Sequence, residues 1–190
     1  MRRGAKAGLS RLALEVRGEL GHDANSVLDP VDLAAEYGVP IYRIGDAKAF
    51  GCPAGVIEYF AGSGLGNFSA ALVPTGRGRF IIENDFHALT RRRSSLAHEM
   101  SHVLLEHEFA GAILGPDGCR AMEKEDEEQA DWLAGELLIP TDTARRLGVK
   151  GMSDQAVANH YGISPKRAAM RLNLSGGRLI ANRSGTARRH

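Results

Sequence analysis

The sequence predicts an α+β fold in which a short mixed or antiparallel sheet is set among helices. Three observations carry this expectation. Runs of β-branched and aromatic residues at 39–44, 54–60, 68–73 and 79–84 read as strands. Apolar residues spaced three and four apart mark helices before and after that stretch. Turn-forming segments at 21–25, 61–67 and 74–76 separate successive elements. No internal repeat is visible.

Taken in order, Leu12, Val16 and Leu20 recur at a period near four and predict a helix over 10–20. Asp29 reads as an N-cap with Pro30 in the first helical position, and Gly38 ends that helix after Tyr37. A strand over 39–44 follows, then strands over 54–60 and 68–73 joined by a hairpin loop at 61–67. Gly62, Gly64 and Gly66 in that loop lack the spacing of a phosphate-binding turn. After a strand over 79–84 comes a helix with an apolar stripe of Leu89, Leu96, Met100, Val103 and Leu104. Arg91, Arg92 and Arg93 sit near its start, where the helix dipole disfavours cations, and read as solvated surface. A loop with Gly111, Gly115 and Gly118 leads to a helix over about 123–138 that Pro140 stops. Thr141 and Asp142 are placed to cap a short helix ending at Gly148. Helices over 153–161 and 165–172, separated by Gly162, Ile163 and Ser164, have helix-turn-helix wording. From Ser175 onward Gly, Arg, Ser and Asn predict a loose tail.

At 190 residues the chain can build one domain with a sizeable core, alone or with a small appendage. Hydrophobic residues at 43% and charged residues at 25% are ordinary for a soluble globular protein. No apolar run approaches the ~20 residues of a membrane span. Arg11, Glu15 and Arg17 interrupt any apolar region after the basic start, so a signal peptide is not expected. Cys52 and Cys119 give no disulfide framework, and the expected location is cytoplasmic. Net charge is only +1, but between Lys150 and His190 eight Lys and Arg residues face a single acid, Asp154. Such a basic end marks a nucleic-acid or acidic partner less often than a solvated surface.

The stretch that carries chemistry is His98-Glu99-Met100-Ser101-His102, an HExxH pattern. Residues four apart on a helix stand one above the other, so two neutral imidazoles aim at one point and are a ready pair of Zn²⁺ ligands. Glu99, about 100° further round the helix, lies beside such an ion as a general base towards water. A catalytic zinc wants a third protein ligand. The acid-rich run 123–128 offers several, and most of these must be solvated. Glu127 and Asp131 are four apart on one face, so one can bind metal while the other accepts the outward N–H of a ligand histidine. Glu123 is the main competitor and Glu128 points about 100° away. His87, His107, His160, Tyr161 and the arginines are candidates for an oxyanion-stabilising donor, with no spacing rule to choose among them. Cys119 reads as a plain loop cysteine rather than a switch thiol.

These motifs are similar to the gluzincin arrangement of HExxH with a downstream ExxxD. More narrowly, the segments 81–84, 92–105 and 127–140 resemble the ImmA/IrrE family of bacterial metallopeptidases. The segments 30–38 and 156–172 also fit, so the resemblance spans roughly residues 10–175. Two departures are Asp131, where the family usually has Asn, and Leu133, where Phe is common.

The resemblance implies a small zincin-like domain over 1–150, a helix-turn-helix-like segment over 151–175 packed on it, and a basic tail over 176–190. It implies Zn²⁺, with Mn²⁺ or another divalent ion as an alternative, held by His98, His102 and Glu127, with Glu99 catalytic and Asp131 behind a ligand. The implied activity is endopeptidase cleavage of a specific transcriptional repressor that controls stress-response, mobile-element or phage genes. The competing reading is a DNA-binding or partner-binding regulator with a structural or sensory zinc, using Lys166, Arg167 and Arg171 as a basic face.

Overall fold

The computed structural model describes residues 4–76, 78–107 and 124–187, and the chain divides into two compact units. One is drawn from Asp29–Ala134, the other from Arg3–Leu28 and Gly135–His190.

In the first unit, Asp29 caps α2 (Pro30–Glu36) by accepting the Val31 N–H, with Pro30 at the first position as expected. β1 (Ile41–Arg43) runs into a 3₁₀ turn over Ile44–Phe50, then come α3 (Ala54–Ala61), β2 (Ala70–Thr75), β3 (Gly78–Glu83) and α4 (Leu89–Leu104). The sheet is mixed, in the order β1-β3-β2. β1 lies parallel to β3 with Ile41 opposite Ile81, and β2 lies antiparallel with Leu72 opposite Ile81. Leu72 and Ile81 are fully buried together with Leu33 of α2 and Met100 of α4. The α4 stripe is narrower than expected, because Leu96 and Met100 are buried while Leu89 is exposed.

One expected strand is a helix. Residues 54–60 have strand-like composition, yet Ala54–Ala61 is α3. Val56, Ile57, Tyr59 and Phe60 satisfy a three-and-four rhythm as well as a strand pattern, and short apolar runs do not separate the two. Pro53, extended at φ −59°, ψ 137°, starts the first turn by accepting the Val56 N–H. Segment 61–67 is therefore the exit from a helix and not a hairpin; the hairpin is β2–β3. Asn84, fully buried just after β3, closes this corner by donating to the carbonyls of Phe60 and Phe68.

The second unit holds α1 (Ala5–Glu19), the end of α5 (Lys124–Leu138), α6 (Thr141–Val149), α7 (Asp154–Tyr161), α8 (Pro165–Leu174) and α9 (Gly177–Ala187). Leu9, Val16, Leu137, Ile139, Ile163 and Leu172 make its core. α7 and α8 are capped by Ser153 and Ser164, and Gly162 between them takes the left-handed conformation at φ 62°. Where a loose tail is expected after Ser175, α9 packs on α6. The crossing is close because both helices present glycine: a Cβ on Gly177 would stand 2.4 Å from the Arg145 carbonyl oxygen, and one on Gly148 would stand 3.1 Å from the Gly177 backbone.

Two buried arginines organise this unit. Arg17 donates to the carbonyls of Asp23, Ser26 and Leu137, and burial lowers its pKa against the opposing pull of Tyr161 and Asp23. Arg171 donates to the Ile139 carbonyl at 2.6 Å and to Glu136 at 2.8 Å, with both ionic side chains 1–2% exposed. Glu136 in turn accepts the Thr141 N–H at 2.9 Å, so it starts α6 in place of the expected Thr141 and Asp142 caps. Arg171 is thus an internal strut and no part of a basic recognition face. On the same helix Ala168 and Leu172 are buried and Met170 is exposed. No helix among the described residues is long and apolar enough to cross a membrane.

Removing one member of a buried pair strands the other charge, so Arg171→Ala is expected to lower unfolding stability by about 3–5 kcal/mol in a denaturant titration. Asp23 caps the turn after α1 by accepting from the Asn25 and Ser26 N–H groups and the Ser26 hydroxyl. The Ser26 hydroxyl, then the two backbone bonds, hold its carboxyl below the usual range. A depressed folded pKa contributes stability above the unfolded value of about 3.9 that is lost as pH falls through the folded value. Asp23→Ala is therefore expected to be less stable than the wild type at pH 7, with the gap shrinking only below about pH 4.

Candidate metal centre

The site is built on α4 and α5, and the first unit's sheet and ion pairs place α4. α4 begins at Leu89 without a side-chain cap and with three arginines in its opening turns, an arrangement its dipole opposes. Acids compensate. Arg92 pairs with Glu83 at the end of β3, and Arg93 pairs with Asp29 at 2.7 Å. Glu83 is buried, and its hydrogen bond is the main cause of Arg92's raised pKa. Arg91 donates to the Ser69 hydroxyl. All three arginines therefore anchor the helix instead of lying loose on its surface.

Further along α4, His98 and His102 converge as their spacing predicts, and Glu127 of α5 joins them. The two Nε2 atoms lie 3.1 Å apart. Glu127 Oε2 is 3.2 Å from His98 Nε2, and its Oε1 is 3.5 Å from His102 Nε2. All three ligand atoms fall within 4.8 Å of one another. The other ring nitrogens explain the orientation. His98 Nδ1 meets Asp131 Oδ1 at 3.2 Å, and His102 Nδ1 meets His107 Nδ1 at 2.9 Å. With both protons on Nδ1, two Nε2 lone pairs and a carboxylate would face one another, an arrangement that a cation between them stabilises. Two imidazoles and a carboxylate fit a divalent ion. Burial lowers the His98 pKa, but the Asp131 hydrogen bond and the charges of Glu99, Asp131 and Glu127 outweigh it, so the net shift is upward.

Asp131 thus stands behind His98 as the sequence suggests, with its side chain 67% exposed. Glu128, four residues on from Lys124, is exposed and outside the cluster. Glu99 is buried beside it, and its Oε2 accepts the Leu72 N–H of β2 at 2.8 Å. Glu123 and Cys119 lie outside the described residues.

The candidate oxyanion donors are dispersed. His87 is occupied by the Phe68 carbonyl at 3.0 Å. Tyr161 and His160 belong to the second unit, where Tyr161 donates to the Asn25 carbonyl. His107 stands behind His102, and its approach depends on how α4 ends. Glu106 takes the left-handed conformation at φ 53°, and it is the one described residue besides glycine with positive φ. Its N–H bonds Val103 and the His107 N–H reaches back to His102, each at 3.1 Å. This is a Schellman closure, usually made with glycine, and holding a glutamate there costs on the order of 1–3 kcal/mol. The usual glycine signal is missing, so nothing in the sequence placed His107 against His102. Burial lowers the His107 pKa, against opposing contributions from Asp126 and Glu127.

A search of curated proteins returned no match. A family model described as the IrrE N-terminal-like domain, of the metallopeptidase class, matches residues 60–173. That span runs from the end of α3 into α8 and takes in both helices of the histidine–glutamate cluster. On a match over more than half its length, this chain belongs to the ImmA/IrrE family of metallopeptidases.

Proposed function

We propose that the chain is a zinc-dependent endopeptidase that cleaves a specific transcriptional repressor in the cytoplasm, so releasing stress-response, mobile-element or phage genes. The observation that carries the metallopeptidase part is the convergence of His98, His102 and Glu127 beside a buried Glu99. Tetrahedral zinc with bonds of about 2.0–2.1 Å sets neighbouring ligand atoms roughly 3.3 Å apart. The separations here are 3.1, 3.2 and 3.5 Å. Mn²⁺ or another divalent ion would use the same donors. The repressor as substrate is supported by what the family resemblance implies.

Zinc held here would supply Lewis acidity that acidifies water and polarises a peptide carbonyl. The chain's own residues do the rest. His98, His102 and Glu127 hold the ion, and Asp131 keeps the His98 ring turned towards it. Glu99 is steadied by the Leu72 N–H, takes a proton from water, and returns it to the leaving amine. Because that N–H comes from β2, the position of the proton carrier is tied to the sheet.

The regulator reading draws on Lys166, exposed at the start of α8, and is weakened by the burial of Arg171. Salt-dependent binding of the full chain to duplex DNA, without cleavage of any repressor, would favour it.

The deciding experiment incubates wild type and Glu99→Gln with candidate repressors and weighs the fragments. Glu99→Gln is expected to keep metal and partner binding while cleavage falls about 10²–10⁴-fold. Equal cutting by both proteins would sink the mechanism. Glu127→Ala removes one of three protein ligands and is expected to lose both zinc, by elemental analysis after gel filtration, and cleavage.

A further inference from the structure

An imidazole that gives one nitrogen's lone pair to an ion carries its proton on the other, and the partner of that N–H sets the ring's rotation. The two histidines of the cluster are treated differently. His98 meets a carboxylate directly, Asp131, whose side chain is largely in solvent. His102 is only 1% exposed, and its Nδ1 meets the Nδ1 of His107 with ring centroids 5.1 Å apart. The far nitrogen of His107, Nε2, lies 3.6 Å from Asp126 Oδ1.

We propose that His107 is a positioning residue for the ligand His102, a neutral imidazole that accepts the His102 Nδ1–H while Asp126 holds the His107 proton on Nε2. This inference rests on the reading of His98, His102 and Glu127 as a metal site.

The chain of tautomers admits one consistent assignment. With the His102 lone pair on Nε2, its proton is on Nδ1, so the facing nitrogen of His107 must be the acceptor. His107 then carries its own proton on Nε2, the side towards Asp126. Burial gives the reason for an intermediate ring. A carboxylate set directly against buried His102 would itself be buried, which is costly. A neutral imidazole passes on the carboxylate's preference while Asp126 stays 29% exposed. The left-handed Glu106 and the bond from the His107 N–H to the His102 carbonyl close the turn that brings the two rings together. With Nδ1 against His102 and Nε2 on the side of Asp126, His107 does not face the Nε2 side of the cluster. It is neither a further ligand nor the oxyanion donor.

The test measures Zn²⁺ affinity of the full-length protein by competition with a chromophoric chelator. It is paired with the absorption spectrum of the Co²⁺-loaded protein and the melting temperature of the metal-free protein. His107→Leu is expected to bind zinc about 10–100-fold more weakly and to alter the Co²⁺ bands, with little change in metal-free melting. His107→Gln, whose amide oxygen can accept the same N–H, is expected to recover most of the affinity and the spectrum. Asp126→Asn is expected to show a smaller loss, about threefold to tenfold. Zinc binding by His107→Leu within about twofold of wild type would overturn the proposal, as would His107→Gln no tighter than His107→Leu. If His107→Leu fails to fold, Asp126→Asn decides: reduced affinity supports the relay and unchanged affinity overturns it. A wild-type protein that takes up neither Zn²⁺ nor Co²⁺ would defeat the metallopeptidase reading as well, a result distinct from equal binding by wild type and variant.

Discussion

The site rests on the convergence of two imidazole nitrogens and a carboxylate oxygen within 4.8 Å of one another, a donor set that a divalent cation would draw together. The helix alone supplies only the spacing, by stacking His98 over His102 one turn apart. It does not decide how either ring is rotated. On the far side of each ring, Asp131 meets His98 and His107 meets His102. Glu127, one turn before Asp131 on α5, then completes a donor set of two nitrogens and a carboxylate. α5 thus supplies both the Glu127 carboxylate of the cluster and the Asp131 carboxylate behind His98.

The helix carrying the histidines is fixed along its length. At its start, three arginines that its dipole disfavours are matched by Glu83, Asp29 and the Ser69 hydroxyl. In its middle, Glu99 is hydrogen-bonded to the backbone of β2 through Leu72. At its end, a left-handed glutamate folds the chain back on His102. The Arg92–Glu83 and Glu99–Leu72 restraints bring sequence-distant groups onto a buried or half-buried face, where hydrogen bonds to charged groups are worth more than in water. A metal site needs such support, since a ring that can swing loses its geometry and with it affinity.

The second unit shows the same economy with different chemistry. Arg17 and Arg171 bring charge into the interior to satisfy carbonyls at the end of α5 and just beyond it. The helices α6 and α9 approach through glycines where any side chain would clash. Of these residues, Gly177 falls in the stretch whose composition reads as a loose tail and Arg171 in the basic end of the chain. Composition counts residue types, but whether a glycine frees the chain or admits a neighbour depends on what stands opposite it.

Much of the site was legible in the residues. HExxH is a local pattern, and helical geometry converts its spacing into a shared direction with no knowledge of the rest of the fold. Glu127 and Asp131 were legible for the same reason, being four apart on one helix. Asp29 and Pro30 declared the start of α2 by local capping. By contrast, residues 54–60 fit both periods, and the chain's path past Pro53 made them α3. Arg171 looked like surface charge and is buried against Glu136 from 35 residues away. His107 was named among many candidates, and its place behind His102 depends on a turn that lacks the customary glycine. What the sequence by itself determined was the helical spacing of the metal-binding groups and the local caps, because those follow from backbone periodicity. What only the tertiary structure decided was which side each ring faces, which charges are paired inside, and which apolar run is helix, because these depend on partners brought together by folding.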